Sequence, residues 1–315
     1  MDVWINGAFV PEQDARVSVF DAGLQHGIGL FETMAARHGS VFRAAHHMER
    51  LAESARMLRL TEKLHVEPLI SAVQQAVDHS GLADARVRLT ITGGDLNTLR
   101  STGAGPQDPT IIIVVQPPTE YPEEFFTKGV SVILASGRLN PWHATSSHKT
   151  LDYWTRISAL QDAAGVGAGE ALWLTPDARI ACGSVSNLFW IKDGVLRTPT
   201  ARPVAGNDED TPPVRPGVTR ATIMELAAVT GIQIVEHMPT LDEVIAADEV
   251  FLTNSSWHVL PVTGIGLPVR PEDDPDAPPQ LGHRAIGDGG VGLITADLRA
   301  ALLHCIERET SGDRT

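Results

Sequence analysis

The chain is poor in cysteine, in basic residues and in long apolar runs, and each shortage narrows what it can be. Two cysteines, Cys182 and Cys305, among 315 residues do not suggest a disulfide framework, so a reducing cytoplasm is the expected compartment. Lys and Arg number 25 against 39 Asp and Glu, a formal charge of −14. Neutralising a phosphate backbone needs clustered cations, so no nucleic-acid partner is expected. No run approaches about 18 apolar residues, and no charged-then-apolar leader is visible, so neither a membrane span nor a signal peptide is expected. The 12 histidines show no HExxH or CxxC spacing, so no metal is expected. His46 and His47 are adjacent on a helical stretch and point in different directions. There is no internal repeat. What is present is a 43% hydrophobic content, enough for a sizeable core in one large domain or two ordinary ones.

Residues 2–10 read as two short strands around the Asn6-Gly7 turn. The glycine-rich stretch Val17–Thr33 lies between strand-like runs, and its Gly27-Ile28-Gly29 is by itself weak evidence for a phosphate cradle. A helix is expected to open at His47, with Met48, Leu51, Ala55 and Leu58 facing the core. A second helix is expected near Val66–Val77, then strands at Ala85–Thr92 and Thr110–Val115. Three prolines within Pro117–Pro122 mark a linker, which gives a small domain over 1–116, a linker over 117–126 and a larger domain over 127–315. In that larger domain a strand begins at Gly129–Ala135, a helix spans Tyr153–Ala164, and Glu170–Leu174 pairs with Arg179–Ala181 across Pro176-Asp177. The acidic stretches 204–212 and 271–279 read as solvated insertions. A last helix, Thr295–Ile306, is expected to bury Leu298, Leu302 and Leu303, with fraying after Glu309.

The stretch Ser147-His148-Lys149-Thr150-Leu151-Asp152-Tyr153 sits between the apolar run Val130–Leu134 and the helical pattern that follows it. Taken alone, Lys149 is a solvated surface charge. Taken with Arg50 upstream, Gly183-Ser184-Val185-Ser186-Asn187-Leu188-Phe189 and Pro216-Gly217-Val218-Thr219 downstream, the succession resembles the class-IV aminotransferase family of fold-type IV pyridoxal 5′-phosphate (PLP) enzymes. Its members include branched-chain and D-amino-acid aminotransferases and aminodeoxychorismate lyase. The resemblance covers nearly the whole chain, from Trp4 to Gly289. It implies an α/β, two-domain enzyme: a small α/β domain, a larger β-barrel-like domain with helices, PLP in the cleft, and a homodimer.

By the same resemblance, Lys149 is the catalytic lysine that carries the cofactor. Arg50 matches a phosphate ligand, and a guanidinium does fork onto phosphate oxygens. The segment Gly217-Val218-Thr219 opens a helical pattern, where free N–H groups and the dipole suit phosphate; on its own it is ordinary helix entry. The turn Thr253-Asn254-Ser255 resembles a second phosphate contact. Tyr153 is placed to reach the cofactor hydroxyl, and Ser186 and Asn187 complete the cofactor set. The pyridine nitrogen is where the chain departs. Cys182 stands where the family has Glu, and a thiol is a weak donor that is ordinarily neutral. Other departures are Ala22 for Arg, Ile28 for Asp and Asp152 for Asn.

Two reactions compete. Gly27-Ile28-Gly29-Leu30-Phe31-Glu32-Thr33 and Leu252–Val262 look closest to aminodeoxychorismate lyases, which convert 4-amino-4-deoxychorismate to 4-aminobenzoate, a folate precursor, and pyruvate. The alternative is an amino-acid transaminase using the same lysine. The Gly-Thr-Ala-Ala of branched-chain enzymes and the Thr-Arg-Gly of D-amino-acid enzymes are replaced here by Thr253-Asn254-Ser255 and Thr92-Gly93-Gly94. A third reading is a PLP-binding relative with weak or no catalysis, supported only by Cys182.

Overall fold

The computed structural model describes residues 1–62, 64–95, 109–202, 212–269 and 280–312. Of the two acidic stretches, 271–279 and all but Pro212 of 204–212 lie outside the described residues. The chain divides into two compact units: Met1–Thr119 with His148–Tyr153 and His304–Thr315, and Glu120–Ser147 with Trp154–Leu303.

The first unit is a six-stranded antiparallel sheet backed by two helices. In chain order it comprises β1 (Asp2–Ile5), β2 (Ala8–Pro11), α1 (Ala22–His26), β3 (Gly29–Arg37), β4 (Ser40–Val41), α2 (Ala44–Met57), α3 (Val66–Ser80), β5 (Ala85–Thr92) and β6 (Ile111–Gln116). The sheet order is β2-β1-β6-β5-β3-β4. Asn6 and Gly7 both take positive φ at the β1–β2 turn, the backbone a tight hairpin demands. Strand alternation sorts the two faces of the sheet. Leu30, Met34, Val87, Leu89 and Ile91 pack with Met48, Leu51, Ala55, Val73 and Val77 of α2 and α3 in one core, which leaves Phe31, Thr33, Arg86 and Arg88 on the opposite face. Helix α2 starts at Ala44, three residues before the expected opening at His47, after an Arg43 in the left-handed region. The glycine-rich stretch holds the short helix α1, because the Asp21 carboxylate accepts from Gly23 N at its start.

The second unit contains α4 (Glu124–Thr127), β7 (Val130–Arg138), α5 (Trp154–Gly165), β8 (Glu170–Leu174), β9 (Ile180–Gly183), β10 (Asn187–Lys192), β11 (Val195–Thr198), α6 (Val218–Val229), β12 (Ile234–Glu236), α7 (Leu241–Ile245), β13 (Glu249–Asn254), β14 (His258–Val269), β15 (Gln280–Ala285) and α8 (Leu293–Thr310). Its nine strands run β12-β11-β10-β13-β14-β7-β8-β9, with β15 added beside β14. The sheet is mixed: β7 runs parallel to both β14 and β8, while β10, β13 and β14 are antiparallel neighbours. Strands β8 and β9 form the expected antiparallel pair. Tyr153 precedes α5 rather than opening it. Helix α8 begins two residues before Thr295 because the Glu249 carboxylate accepts from Ile294 N and Thr295 N. It buries Leu298 and Leu302 but leaves Leu303 half-buried, and it ends at a buried Thr310, one residue past Glu309. No helix among the described residues is long and apolar enough to cross a membrane.

Candidate active site

Lys149 is placed by backbone pairing. Residues 149–151 lie antiparallel to the start of β3: Phe31 N donates to Lys149 O (2.9 Å), Leu151 N donates to Gly29 O (3.0 Å), and Leu30 bridges Thr150. The approach is close enough that a Cβ on Gly29 would collide with the Ile91 carbonyl and the Leu151 side chain, so glycine is required there. The pairing sets Lys149 Nζ 4.0 Å from the centroid of the Phe31 ring and 5.7 Å from that of Tyr153. The two rings meet edge to face at 5.3 Å. The lysine is half-buried against aromatic surface.

Alternation in β3 turns Glu32 away from Phe31 and into a buried charge cluster. Arg50 Nε and Nη2 donate to the two Glu32 oxygens (2.8 and 2.5 Å), and His47 Nδ1 lies 2.9 Å from Oε2. Burial alone would raise the Glu32 pKa, but the Arg50 charge and the His47 hydrogen bond outweigh it and hold the carboxyl well below the usual range. Burial pushes the His47 pKa down, and the Lys149 charge acts in the same direction. The structure thus places the Arg50 fork on Glu32, a pairing the sequence reading did not anticipate.

Arg88 was also missed. Its guanidinium lies 3.9 Å over the Phe31 ring, on the ring that Lys149 Nζ also faces. Arg88 has no hydrogen bond or ion pair among the described residues. Burial, then the neighbouring Arg86 charge, pushes its pKa down. A half-buried guanidinium with no hydrogen-bond partner among the described residues is suited to anchoring a carboxylate. The signal was present in the alternation of Ala85–Thr92, which puts Arg88 on the face away from the apolar core.

In the second unit, the anion-binding residues converge on the start of α6. Gly217 is its N-cap, with no side chain satisfying the first turn. Asn187 Nδ2 donates to Arg215 O (2.9 Å) and pins the loop that enters the helix. A Cβ on Gly217 would collide with Asn187 Oδ1. Val218 and Thr219 follow, both buried. Asn187 also pairs with Thr253 across β10 and β13. The Thr253 hydroxyl is buried with no hydrogen-bond partner among the described residues. A helix N-terminus without a cap and an orphaned hydroxyl on the strand paired with Asn187 are the features a phosphate-bearing group would satisfy, so these residues fit PLP. Asn254 plays a different part. Its Oδ1 accepts from Ser256 N (2.8 Å) and Trp257 N (3.0 Å), so it shapes the turn from within. Ser255 sits in that turn, half-buried.

Cys182 lies near the end of β9, 5% exposed, in a cluster with Ala135, Ala171, Trp173 and Val214. Ser186 Oγ donates to Glu170 Oε2 (3.0 Å). Glu170 opens an otherwise apolar strand and is fully buried. Its carboxylate also accepts from Ala171 N, Ser184 N and Val185 N. Burial raises its pKa, against those hydrogen bonds. Both oxygens are therefore turned into the 183–186 turn. Arg156, another residue the sequence reading passed over, donates through Nη1 to Cys182 Sγ (3.7 Å), Gly183 O (3.2 Å) and Ser184 O (3.0 Å).

Residues 29–265 match the family model described as amino-transferase class IV. Among curated relatives, the branched-chain-amino-acid aminotransferase of Pseudomonas aeruginosa is 29% identical over 316 residues, covering 98% of this chain and 94% of its own. The aminodeoxychorismate lyase of Bacillus subtilis is 29% identical over 269 residues, covering 84% and 86%. Among solved structures, the Escherichia coli branched-chain amino acid aminotransferase superposes with a TM-score of 0.84 at 26% identity, covering 99% of this chain and 97% of its own. The T.th. branched-chain amino acid aminotransferase with pyridoxamine 5′-phosphate gives 0.80 at 26% identity, covering 99% and 96%.

Proposed function

Because the chain belongs to the class-IV aminotransferase family, whose fold-type IV enzymes use PLP, we propose that it is an aminodeoxychorismate-lyase-like enzyme acting on an aminated, carboxylate-bearing cyclohexadiene. Lys149 carries the cofactor and Arg88 anchors a substrate carboxylate. The α6 N-terminus, Thr219 and Thr253 hold the phosphate, while Ser186 and Asn187 shape the wall beside it; Arg50, whose fork is taken by Glu32, is not among these ligands. Tyr153 faces the cofactor hydroxyl. Bound PLP supplies the electron-withdrawing group that acidifies the carbon bearing the substrate amine. Once the substrate amine has displaced it from the cofactor, the freed Lys149 amine removes the proton from that carbon. The bond from the ring carbon to the enolpyruvyl oxygen then breaks, enolpyruvate leaves and takes up a proton to become pyruvate, and the ring becomes aromatic as 4-aminobenzoate.

The observation that carries this reading is the commitment of Glu170. Cys182 takes the position of the family's ring-nitrogen carboxylate, and the nearby buried acid has both oxygens engaged by four donors, Ala171 N and three groups of the 183–186 turn. A ring without a carboxylate partner is a weaker electron sink. Aromatisation supplies driving force that a transamination lacks. The second reading, an amino-acid transaminase, is favoured by Arg88, a cation that fits the carboxylate of any amino acid, and by the branched-chain enzymes among the relatives.

Borohydride reduction followed by mass spectrometry of the peptides is expected to find the cofactor on Lys149, and the purified enzyme is expected to release 4-aminobenzoate and pyruvate from aminodeoxychorismate. Exchange of amino groups between amino acids and 2-oxo acids, with no 4-aminobenzoate formed, would overturn the lyase in favour of the transaminase. In either case, Arg88→Met is expected to raise KM about tenfold or more, since a charged hydrogen bond contributes roughly 1.5–3 kcal/mol, while leaving cofactor loading intact. An unchanged KM would remove Arg88 from the site. We also propose a cytoplasmic homodimer, which light scattering would test.

A further inference from the structure

We infer that Arg156 is a positioning residue that, through Cys182, keeps the ring nitrogen of the cofactor unprotonated and so suppresses transamination. This rests on the proposed reading that the Cys182 sulfur faces that nitrogen.

The direction of each hydrogen bond decides the matter. A guanidinium has only donors and does not lose its proton. In its contact with Arg156 Nη1 the sulfur is therefore the acceptor. Arg156 is held in place for this. The same Nη1 donates to Gly183 O and Ser184 O, and its guanidinium lies 5.9 Å over the Trp173 ring. Trp173 Nε1 in turn donates to Ser184 Oγ (2.9 Å). Strand pairing sets Trp173 opposite Cys182, so the aromatic plane, the cation and the sulfur form one block at the end of β9.

As a thiol, a sulfur that accepts from a cation keeps its S–H to donate. A neutral pyridine nitrogen, with its lone pair, is the partner that accepts such a proton. A pyridinium needs an acceptor, and it would bring a second positive charge beside Arg156. The acid that could offset that charge, Glu170, is turned into the 183–186 turn. The block therefore selects the neutral ring. A neutral ring spreads less negative charge onto itself after proton removal. That disfavours return of the proton to the cofactor carbon, the step a transaminase needs and a lyase must avoid.

The test uses the holoenzyme loaded with PLP labelled with nitrogen-15 in the ring, read by NMR. The wild type is expected to show the downfield resonance of a neutral pyridine. Arg156→Gln is expected to move it toward the pyridinium position, because the repelling charge is gone. Arg156→Lys, which keeps the charge, is expected to leave it in place. Cys182→Glu restores an acceptor and is expected to give a full pyridinium signal. It should also raise the fraction of turnovers ending in pyridoxamine 5′-phosphate about tenfold, the change in protonated fraction for one pKa unit. Thermal midpoints of each holoenzyme report whether the variants fold. A pyridinium resonance in the wild type, or no response to Arg156→Gln in a folded holoenzyme, would overturn the inference while leaving the lyase standing. A wild type that takes up no PLP on Lys149, or a folded Cys182→Glu holoenzyme with an unmoved resonance, would overturn the site assignment itself and the inference with it.

Discussion

Replacing Glu32 with Gln puts the buried charge cluster of the first unit to a direct test. Glu32 is 1% exposed, and its carboxylate accepts from Arg50 through two nitrogens and pairs with His47. Gln keeps the shape and one acceptor oxygen but removes the charge, and it turns an NH2 toward a donor. Arg50, whose side chain is 13% exposed, is then left as a charge without its carboxylate. Breaking a buried pair on one side costs about 3–5 kcal/mol. At about 2–4 °C per kcal/mol for a domain of roughly this size, the thermal midpoint of the first unit should fall by roughly 6–20 °C. Removing both partners, Glu32→Gln with Arg50→Met, should cost less than Glu32→Gln alone, because the stranded charge disappears too. The sign with pH follows from both shifts. The folded pKa of Glu32 is depressed, so its stabilisation is complete above the ordinary carboxylate range and is lost as pH falls below it. The folded pKa of His47 is also depressed, so protonation in acid favours the unfolded chain, starting as pH falls through about 6.5. Thermal scans from about pH 8 to about pH 4 should therefore show the wild type losing stability in acid and the double variant losing less. A Glu32→Gln midpoint within a degree or two of wild type, or a double variant worse than the single, would refute the reasoning.

Thr253→Val should leave the apoprotein as stable or up to ~1 kcal/mol more so, because the hydroxyl it removes is buried without a partner among the described residues. It should weaken PLP binding about tenfold, as a fluorescence titration would read. Gly217→Ala should weaken PLP binding more than it weakens the fold, since its Cβ would displace Asn187 from the entry to α6; equal affinity would show that this helix end is not the phosphate site. Glu243 caps α7 by accepting from Thr240 N and lies beside His237. Its carboxyl is held down to about 2, chiefly by the Thr240 N–H. An NMR titration should find a midpoint below the ordinary carboxylate range, with the cap's modest stabilisation, at most about 1 kcal/mol for so exposed a pair, lost as pH falls below that range.

Local patterns made much of this legible in the sequence. The Asn6-Gly7 turn can be read because only a few residues tolerate two successive positive φ values. The β5 alternation can be read because one face must meet the α2 and α3 core. Helix ends were legible only to within a few residues, because they depend on partners from elsewhere: Glu249, far from α8 in the chain, is what starts that helix early. Charge pairing was the least legible feature. The family resemblance directs Arg50 to phosphate, and nothing in its own neighbourhood announces that Glu32, on a strand 18 residues earlier, takes its fork.

Lys149 and Cys182 differ in the same way. The motif around Lys149 names the residue, but its setting comes from β3, to which it pairs over a separation of more than a hundred residues. Phe31 reaches the lysine through a strand bridge, and Arg88 reaches the Phe31 ring through the sheet register. At Cys182 the sequence could state which acid was missing. It could not state what stands in its place, because Arg156 lies 26 residues earlier, on a helix whose pattern reads as an ordinary surface. A missing carboxylate alone suggests a weakened enzyme. In the proposed site, a missing carboxylate with a cation hydrogen-bonded to its replacement means a ring kept in a different charge state, and that is a difference in chemistry.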